Sequence, residues 1–219
     1  MDRRELLKMV ALVTGGAVIG GEFFLSGCKN TPAIGGPSFI PEDIAFLDEV
    51  ADTIIPTTKS PGAKAAGVGR FMTVMVNDCY DETDQKLFHD GIKALDDAAN
   101  KKFSNGFMSL SPEQRHDLLA DIDKDAKAYQ KKVDDAYNAL PMEERQALTL
   151  KQNFEGKDPR ADEKRKNPNY YFILMKQLTL LGYFTSKEGA TQALRYVAVP
   201  GRYDGCMDYK KGDKAWATS

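Results

Sequence analysis

The sequence predicts an all-α fold, a single irregular helical domain with long loops, and three observations carry that expectation. Apolar residues recur at three- and four-residue spacing in several separate stretches, helix-start signals precede two of them, and no period-two alternation persists over the length of a strand. With 219 residues of which 42% are hydrophobic, the chain can bury one well-packed core, so one globular domain is expected rather than two.

The domain begins where Pro41-Glu42-Asp43 opens a helix. Ile44, Leu47, Val50, Ala51, Ile54 and Ile55 form its apolar face, and Pro56 stops it. Residues 57–69, rich in Thr, Ser, Pro and Gly, read as a loop into a second apolar stretch at Phe71 to Val76. Leu87, Phe88, Ile92, Leu95, Ala99 and Phe103 mark a third helix. Ser111-Pro112-Glu113-Gln114 joins an N-cap serine, a first-turn proline and a capping-box glutamine, so a long helix starts there. Leu118, Leu119, Ile122, Ala126, Tyr129, Val133 and Tyr137 continue its stripe, and the Asp and Lys residues between them form its solvated side. Residues 155–169, charged and holding Pro159 and Pro168, read as a loop or irregular excursion. Tyr170 to Leu181, nearly all apolar, suits a buried helix at the centre of the core better than a membrane span. Ser186 to about Tyr196 reads as a further short helix, and Val197 to Gly201 as extended and turning.

The ends of the chain read differently from its middle. Arg3, Arg4 and Lys8 precede an apolar, Gly-rich run from Met9 to Gly21, which closes on Leu25-Ser26-Gly27-Cys28. That is the layout of a signal peptide, 1–27, ending in a bacterial lipobox, with the Cys28 thiol as the lipidation site. The Arg3-Arg4 pair resembles a twin-arginine export signal, with Asp2 and Leu6 departing from the usual pattern. The chain is therefore expected to be periplasmic and held on a bacterial membrane through an N-terminal lipid. Residues 28–38, with Pro32, Gly35, Gly36 and Pro37, form a flexible tether; 39–209 is the helical domain, and 210–219 a loose tail.

Composition narrows the function. Thirty basic and 32 acidic residues are interspersed, leaving no basic stripe to bind nucleic acid. The three cysteines, at 28, 79 and 206, make no CxxC or CxxCH, against a zinc, iron–sulfur or covalent haem site. There is no GxGxxG after a strand, no GxSxG and no HExxH. The two histidines, His89 and His116, read as surface or capping residues, so no catalytic, cofactor-binding or metal-binding residue is named. With Cys28 lipidated, Cys79 and Cys206 either form a disulfide or Cys79 is a small buried hydrophobe. Arg202 and Tyr203, beside a Pro-Gly turn, are either partner-docking residues or a helix cap and an inward-packed ring. Trp216 either anchors to a partner or belongs to the loose end.

Two segments are distinctive. One runs from Phe39-Ile40-Pro41 through Ala51-Asp52-Thr53-Ile54-Ile55-Pro56 to Pro61-Gly62-Ala63 and Ala66-Gly67-Val68. The other runs from Gly182-Tyr183-Phe184-Thr185-Ser186 through Gly189-Ala190-Thr191 and Arg195-Tyr196 to Pro200-Gly201-Arg202-Tyr203-Asp204-Gly205-Cys206. They resemble the gluconate 2-dehydrogenase subunit 3 family. The resemblance implies a small subunit without a cofactor of its own, bound to a flavin-containing (FAD) catalytic subunit of the glucose-methanol-choline type, often with a cytochrome c subunit carrying haem c. It also implies a part in maturation or export, which Arg3-Arg4 fits if the catalytic subunit crosses folded on a partner's signal. The competing readings are a stand-alone periplasmic enzyme, whose usual motifs are missing, and a sugar-binding surface lipoprotein, whose cleft aromatics the helical spacing does not supply.

Overall fold

Proline and acid side chains set the first helix, α1 (Pro41–Ile54): Pro41 sits in its first turn and the Asp43 carboxylate accepts the Ile40 N–H at 3.0 Å. This computed structural model describes residues 38–156, 158–199, 201 and 205–217. Gly67, at φ +67°, turns the chain into α2 (Val68–Cys79) through the left-handed region, where a side chain would be strained. Asp81 caps α3 (Glu82–Phe103) by accepting the Asp84 N–H at 2.8 Å. The expected capping box of α4 (Pro112–Asn138) is present: Ser111 Oγ accepts the Gln114 N–H at 3.3 Å, and Gln114 Oε1 accepts the Ser111 N–H at 3.0 Å. Helices α5 (Met142–Glu155), α6 (Ala161–Arg165) and α7 (Tyr170–Thr185) follow, then a π-helical turn at Gly189–Ala193. The described residues form no strand, only one isolated bridge between Arg195 and Trp216.

Helix α7 is the hub. It packs against α1, α2, α3, α4 and the π-helical turn, and its Phe172, Leu174, Met175 and Leu178 meet Leu47, Met72, Phe88, Leu95 and Leu118 in one core. The close approach of α3 requires Gly91: a Cβ there would lie 2.3 Å from Tyr171 Cβ. Two inward polar side chains bond to backbone remote in sequence. Tyr183 donates its hydroxyl to the Pro61 carbonyl at 2.7 Å, and Asn167 donates to the Ala126 carbonyl at 3.2 Å.

The structure corrects several sequence-based expectations. The charged excursion at 155–169 contains α6, held by ion pairs to the remote Asp84, Asp81 and Asp134 and to the nearby Asp158. Arg165 forks onto Asp84 at 2.8 Å and reaches Asp81 at 2.7 Å, while Arg160 joins Asp158 and Asp134 at 2.9 and 3.0 Å. The short helix expected from Ser186 is present and stops earlier than Tyr196: Ser186 Oγ accepts the Gly189 N–H at 3.0 Å, residues 187–193 are helical, ending in the π-helical turn, and Gly189 is pressed onto α7, its Cβ position 1.9 Å from the Tyr183 carbonyl oxygen. The tail expected to be loose is pinned, since the Arg195 N–H donates to Ala215 O at 2.8 Å and the Ala217 N–H to Arg195 O at 2.9 Å. The described residues belong to one compact unit, Pro37–Ser219.

Candidate docking face

A helix apolar on every side is expected to be covered on every side. Helix α7 is not. Tyr171, Phe172, Leu174, Met175, Leu178, Thr179, Gly182 and Tyr183 are buried, while Leu180, Leu181 and Phe184 are 41%, 47% and 41% exposed. Leu180, Leu181 and Phe184 follow Gln177 at helical spacing, so the four share one outward face near the C-terminal end. Beside it, α2 and α7 meet where Gly182 faces Phe71, with a Cβ position 2.5 Å from the ring. One turn along α2 from Phe71, Val74 is also exposed. Leu180, Leu181 and Phe184 together, on a helix that is otherwise core, make this row a candidate docking face.

The face is rigidly backed. Thr179, fully buried, donates to the Met175 carbonyl at 2.8 Å, and the Tyr183 bond to Pro61 fixes the end of α7 against the loop after α1. Burial holds Tyr171 as the neutral phenol, its pKa pushed up to about 12. Lys176, half-buried, is tied to Asp123 of α4 at 2.7 Å.

Two further concavities among the described residues are lined by ion pairs. In the cleft between α1 and the start of α4, Glu49 accepts from both Lys64 and Arg115, and Arg115 also donates to the Phe107 and Met108 carbonyls at 3.2 and 2.7 Å. Hydrogen bonding from Lys64, reinforced by Arg115, holds the Glu49 carboxyl below its ordinary range despite burial. Burial raises neighbouring Asp48, partly opposed by the Gly69 N–H bonded to it at 2.8 Å. These groups staple α1 to the loop before α2 and to α4, and their charges are spent on one another.

The residues singled out in the sequence are not brought together. Arg3, Arg4, Cys28, Arg202 and Tyr203 lie outside the described residues. Cys79 is exposed at the end of α2, so it is not the small buried hydrophobe; it falls beyond the buried Met72–Val76 stripe. His89 is neither surface nor cap: its ring stacks on Phe39 at 3.9 Å, half-buried. His116 is exposed beside Asp117, 3.7 Å away. Trp216 does not hang loose: its ring lies under the Arg195 guanidinium at 4.8 Å. The face on α7 was missed because Gln177 is the one polar residue on it, and Leu180, Leu181 and Phe184 beyond it are apolar like the buried sides.

A family model described as Gluconate 2-dehydrogenase subunit 3 matches residues 41–201. The chain belongs to the gluconate 2-dehydrogenase subunit 3 family. Among curated proteins and among solved structures, none matches it. For a gluconate 2-dehydrogenase subunit, an uncovered apolar face has a ready meaning, since a subunit works beside others. The matched span opens at α1 and includes all of α7, the π-helical turn and Arg195; it ends before Trp216.

Proposed function

We propose that this chain is a non-catalytic accessory subunit of a periplasmic, flavin-dependent dehydrogenase of the glucose-methanol-choline type, acting on a sugar or sugar acid. The observation that carries the reading is the outward row Leu180, Leu181 and Phe184 on the hub helix of a gluconate 2-dehydrogenase subunit 3 chain. The row docks on the catalytic subunit, which binds the FAD; a cytochrome c subunit takes the electrons onward. Arg3-Arg4 supply the export signal for the folded pair, and lipidated Cys28 holds the complex on the membrane. No described helix is long and apolar enough to cross a membrane, so anchoring of the described domain would fall to that lipid.

The row contributes affinity of a limited kind. Burying roughly 250 Å² of apolar side chain yields about 6 kcal/mol at ~25 cal/mol per Å², comparable with the lower estimates of what association costs. It can orient the subunit, but other surface must add to it.

The test is a mild-detergent pull-down of the tagged full-length chain from its native membranes, with partner identification and a flavin absorbance spectrum. Wild type should bring down a yellow flavoprotein that reduces a dye with sugar, and the L181E/F184E double variant should come down without it. A colourless wild-type eluate lacking a flavoprotein refutes the reading.

A further inference from the structure

Helix α5 turns its apolar side outward. A surface helix ordinarily faces the core with its apolar stripe and water with its polar one. In α5 none of residues 142–154 is buried, and the half-buried ones are Arg145, Leu148 and Gln152. Its largest apolar side chains stand on the opposite side: Met142 is 67% exposed, Leu150 62% and Phe154 93%. Two polar bonds tie it to the end of α4, from Arg145 Nε to the Leu140 carbonyl at 3.2 Å and from the Tyr137 hydroxyl to the Arg145 carbonyl at 3.4 Å. A helix of 14 residues is marginal in water unless a face of it is covered.

The outward side carries a pattern that a copy of itself completes. Met142, Gln146, Leu150 and Phe154 recur at every fourth residue and form one ridge along the helix. Met142, Arg145, Gln146, Thr149 and Leu150 line a shallow concavity beside it. The first four stand at i, i+3, i+4 and i+7, the set that makes a hole for a knob from a facing helix. An antiparallel copy that seats its Leu150 in this hole brings its Phe154 beside Met142, a sulfur–ring contact, and two-fold symmetry repeats both contacts. The same register sets Lys151 of each copy opposite Glu143 and Glu144 of the other, so the flanks are complementary in charge. A parallel copy would set Glu143 and Glu144 against themselves.

The area fixes the strength. At about 150–250 Å² for a large side chain, Met142, Leu150 and Phe154 expose roughly 400 Å² in each copy. Covering Gln146, Ala147 and the charged flank as well brings the pair to about 1,200 Å² in total, the lower edge of specific interfaces. Such a pair is weak and concentration-dependent, with a Kd of about 0.1 mM.

We infer that α5 is a self-association surface, on which a second copy of this chain packs antiparallel through Met142, Leu150 and Phe154, with Lys151 of each copy facing Glu143 and Glu144 of the other. The surface shares no residue with the α7 row, so the inference is independent of the accessory-subunit reading.

The experiment follows the full-length chain in mild detergent, with micelles in excess over protein, by sedimentation equilibrium from about 10 µM to about 1 mM. Wild type should dimerise, and F184E should dimerise as wild type does. L150D/F154D should stay monomeric, with a melting temperature at the lowest concentration equal to that of wild type. E143K/E144K and K151E should each weaken the dimer roughly tenfold, and E143K/E144K/K151E, which exchanges the signs, should recover it to within about threefold. Wild type that stays monomeric at the highest concentration overturns the inference. So does a dimer that L150D/F154D leaves intact or F184E dissolves, and a triple variant that pairs no better than E143K/E144K overturns the antiparallel arrangement. A monomeric wild type whose L150D/F154D variant also loses the flavoprotein in the pull-down above assigns α5 to the catalytic subunit, which overturns self-association and leaves the accessory reading standing.

Discussion

Gly91→Ala tests the seam on which the hub helix rests. The substitution removes a helix-interior glycine, which in open solvent would stabilise by about 1 kcal/mol. Here the added Cβ would meet Tyr171 Cβ at 2.3 Å, Cγ at 2.5 Å and Cδ2 at 2.8 Å. Ordinary carbon contacts sit near 3.5–4.0 Å, so α3 and α7 must part by about an ångström. Tyr171 cannot swing aside: it is 6% exposed, and its Cβ and Cγ lie too close to the α7 backbone for a rotamer change to clear them. Overpacking of this kind costs typically 1–3 kcal/mol, and the involvement of the ring's root puts this site at the upper end. Subtracting the propensity gain leaves a net loss of about 2 kcal/mol, or a fall in melting temperature of about 4–8 °C for a domain of this size. Urea titration followed by circular dichroism gives the difference directly. A midpoint equal to or above wild type would show that α3 and α7 are not in close contact at Gly91, and the reasoning that makes α7 the hub would fall with it.

Three further outcomes follow from the same contacts. Tyr183→Phe removes the hydroxyl that meets the half-buried Pro61 carbonyl and should cost about 1 kcal/mol by urea titration; no loss would mean that the 2.7 Å bond is not made. Glu49→Gln should lower stability by about 1–2 kcal/mol at pH 7, the half-exposed Lys64 arm counting for little. Because the folded Glu49 pKa is depressed, its contribution is complete above the ordinary carboxylate value of 4.5 and fades as pH falls below it, so the variant should show a flatter acid limb; parallel pH profiles would refute the assignment. Asp158 titrates in the same sense: burial alone would raise it, but bonds from Arg160 and Lys164 outweigh that. Arg165→Met leaves Asp84 and Asp81 unanswered at the start of α3 and should speed amide exchange in α6 and the first turn of α3, leaving α7 protected; uniform exchange would show that the clamp holds nothing local.

The helical class was legible because it rests on local signals. The Ser111 capping box, Pro41 and the periodic stripes of α1, α3 and α4 each name their element without reference to the rest of the chain. What escaped depends on partners far away in sequence. Residues 155–169 look like solvated loop until Arg165 is set against Asp84, and the tail looks loose until Trp216 is set under Arg195. His89 looked peripheral because nothing in the sequence says that Phe39 returns to cover it. The candidate face is the sharpest case: hydrophobicity placed Tyr170–Leu181 at the centre of the core, and most of it is there, but with Gln177 alone marking the outward side the run does not say that Leu180 and Leu181 lie open beside it.

That ambiguity has a physical consequence. The helix that centres the core also carries the row proposed for docking, so the two tasks share one rigid body. Leu181 and Phe184 are exposed while their neighbours Gly182 and Tyr183 are buried, and a partner covering the former would hold the latter in place. A ligand that binds only the folded form adds RT ln(1 + [L]/Kd), about 2.7 kcal/mol at a hundredfold excess over Kd. The accessory subunit should therefore melt higher in complex than alone. Gly91→Ala, which forces α7 away from α3 on its buried side, should lower affinity for the partner as well as stability, whereas Arg165→Met, near Tyr170 at the far end of α7 from Leu180, Leu181 and Phe184, leaves the helix seam unstrained and should lower stability alone. Equal affinity losses in the two variants, measured at a temperature where both are folded, would show that docking depends on overall stability and not on the placement of this helix.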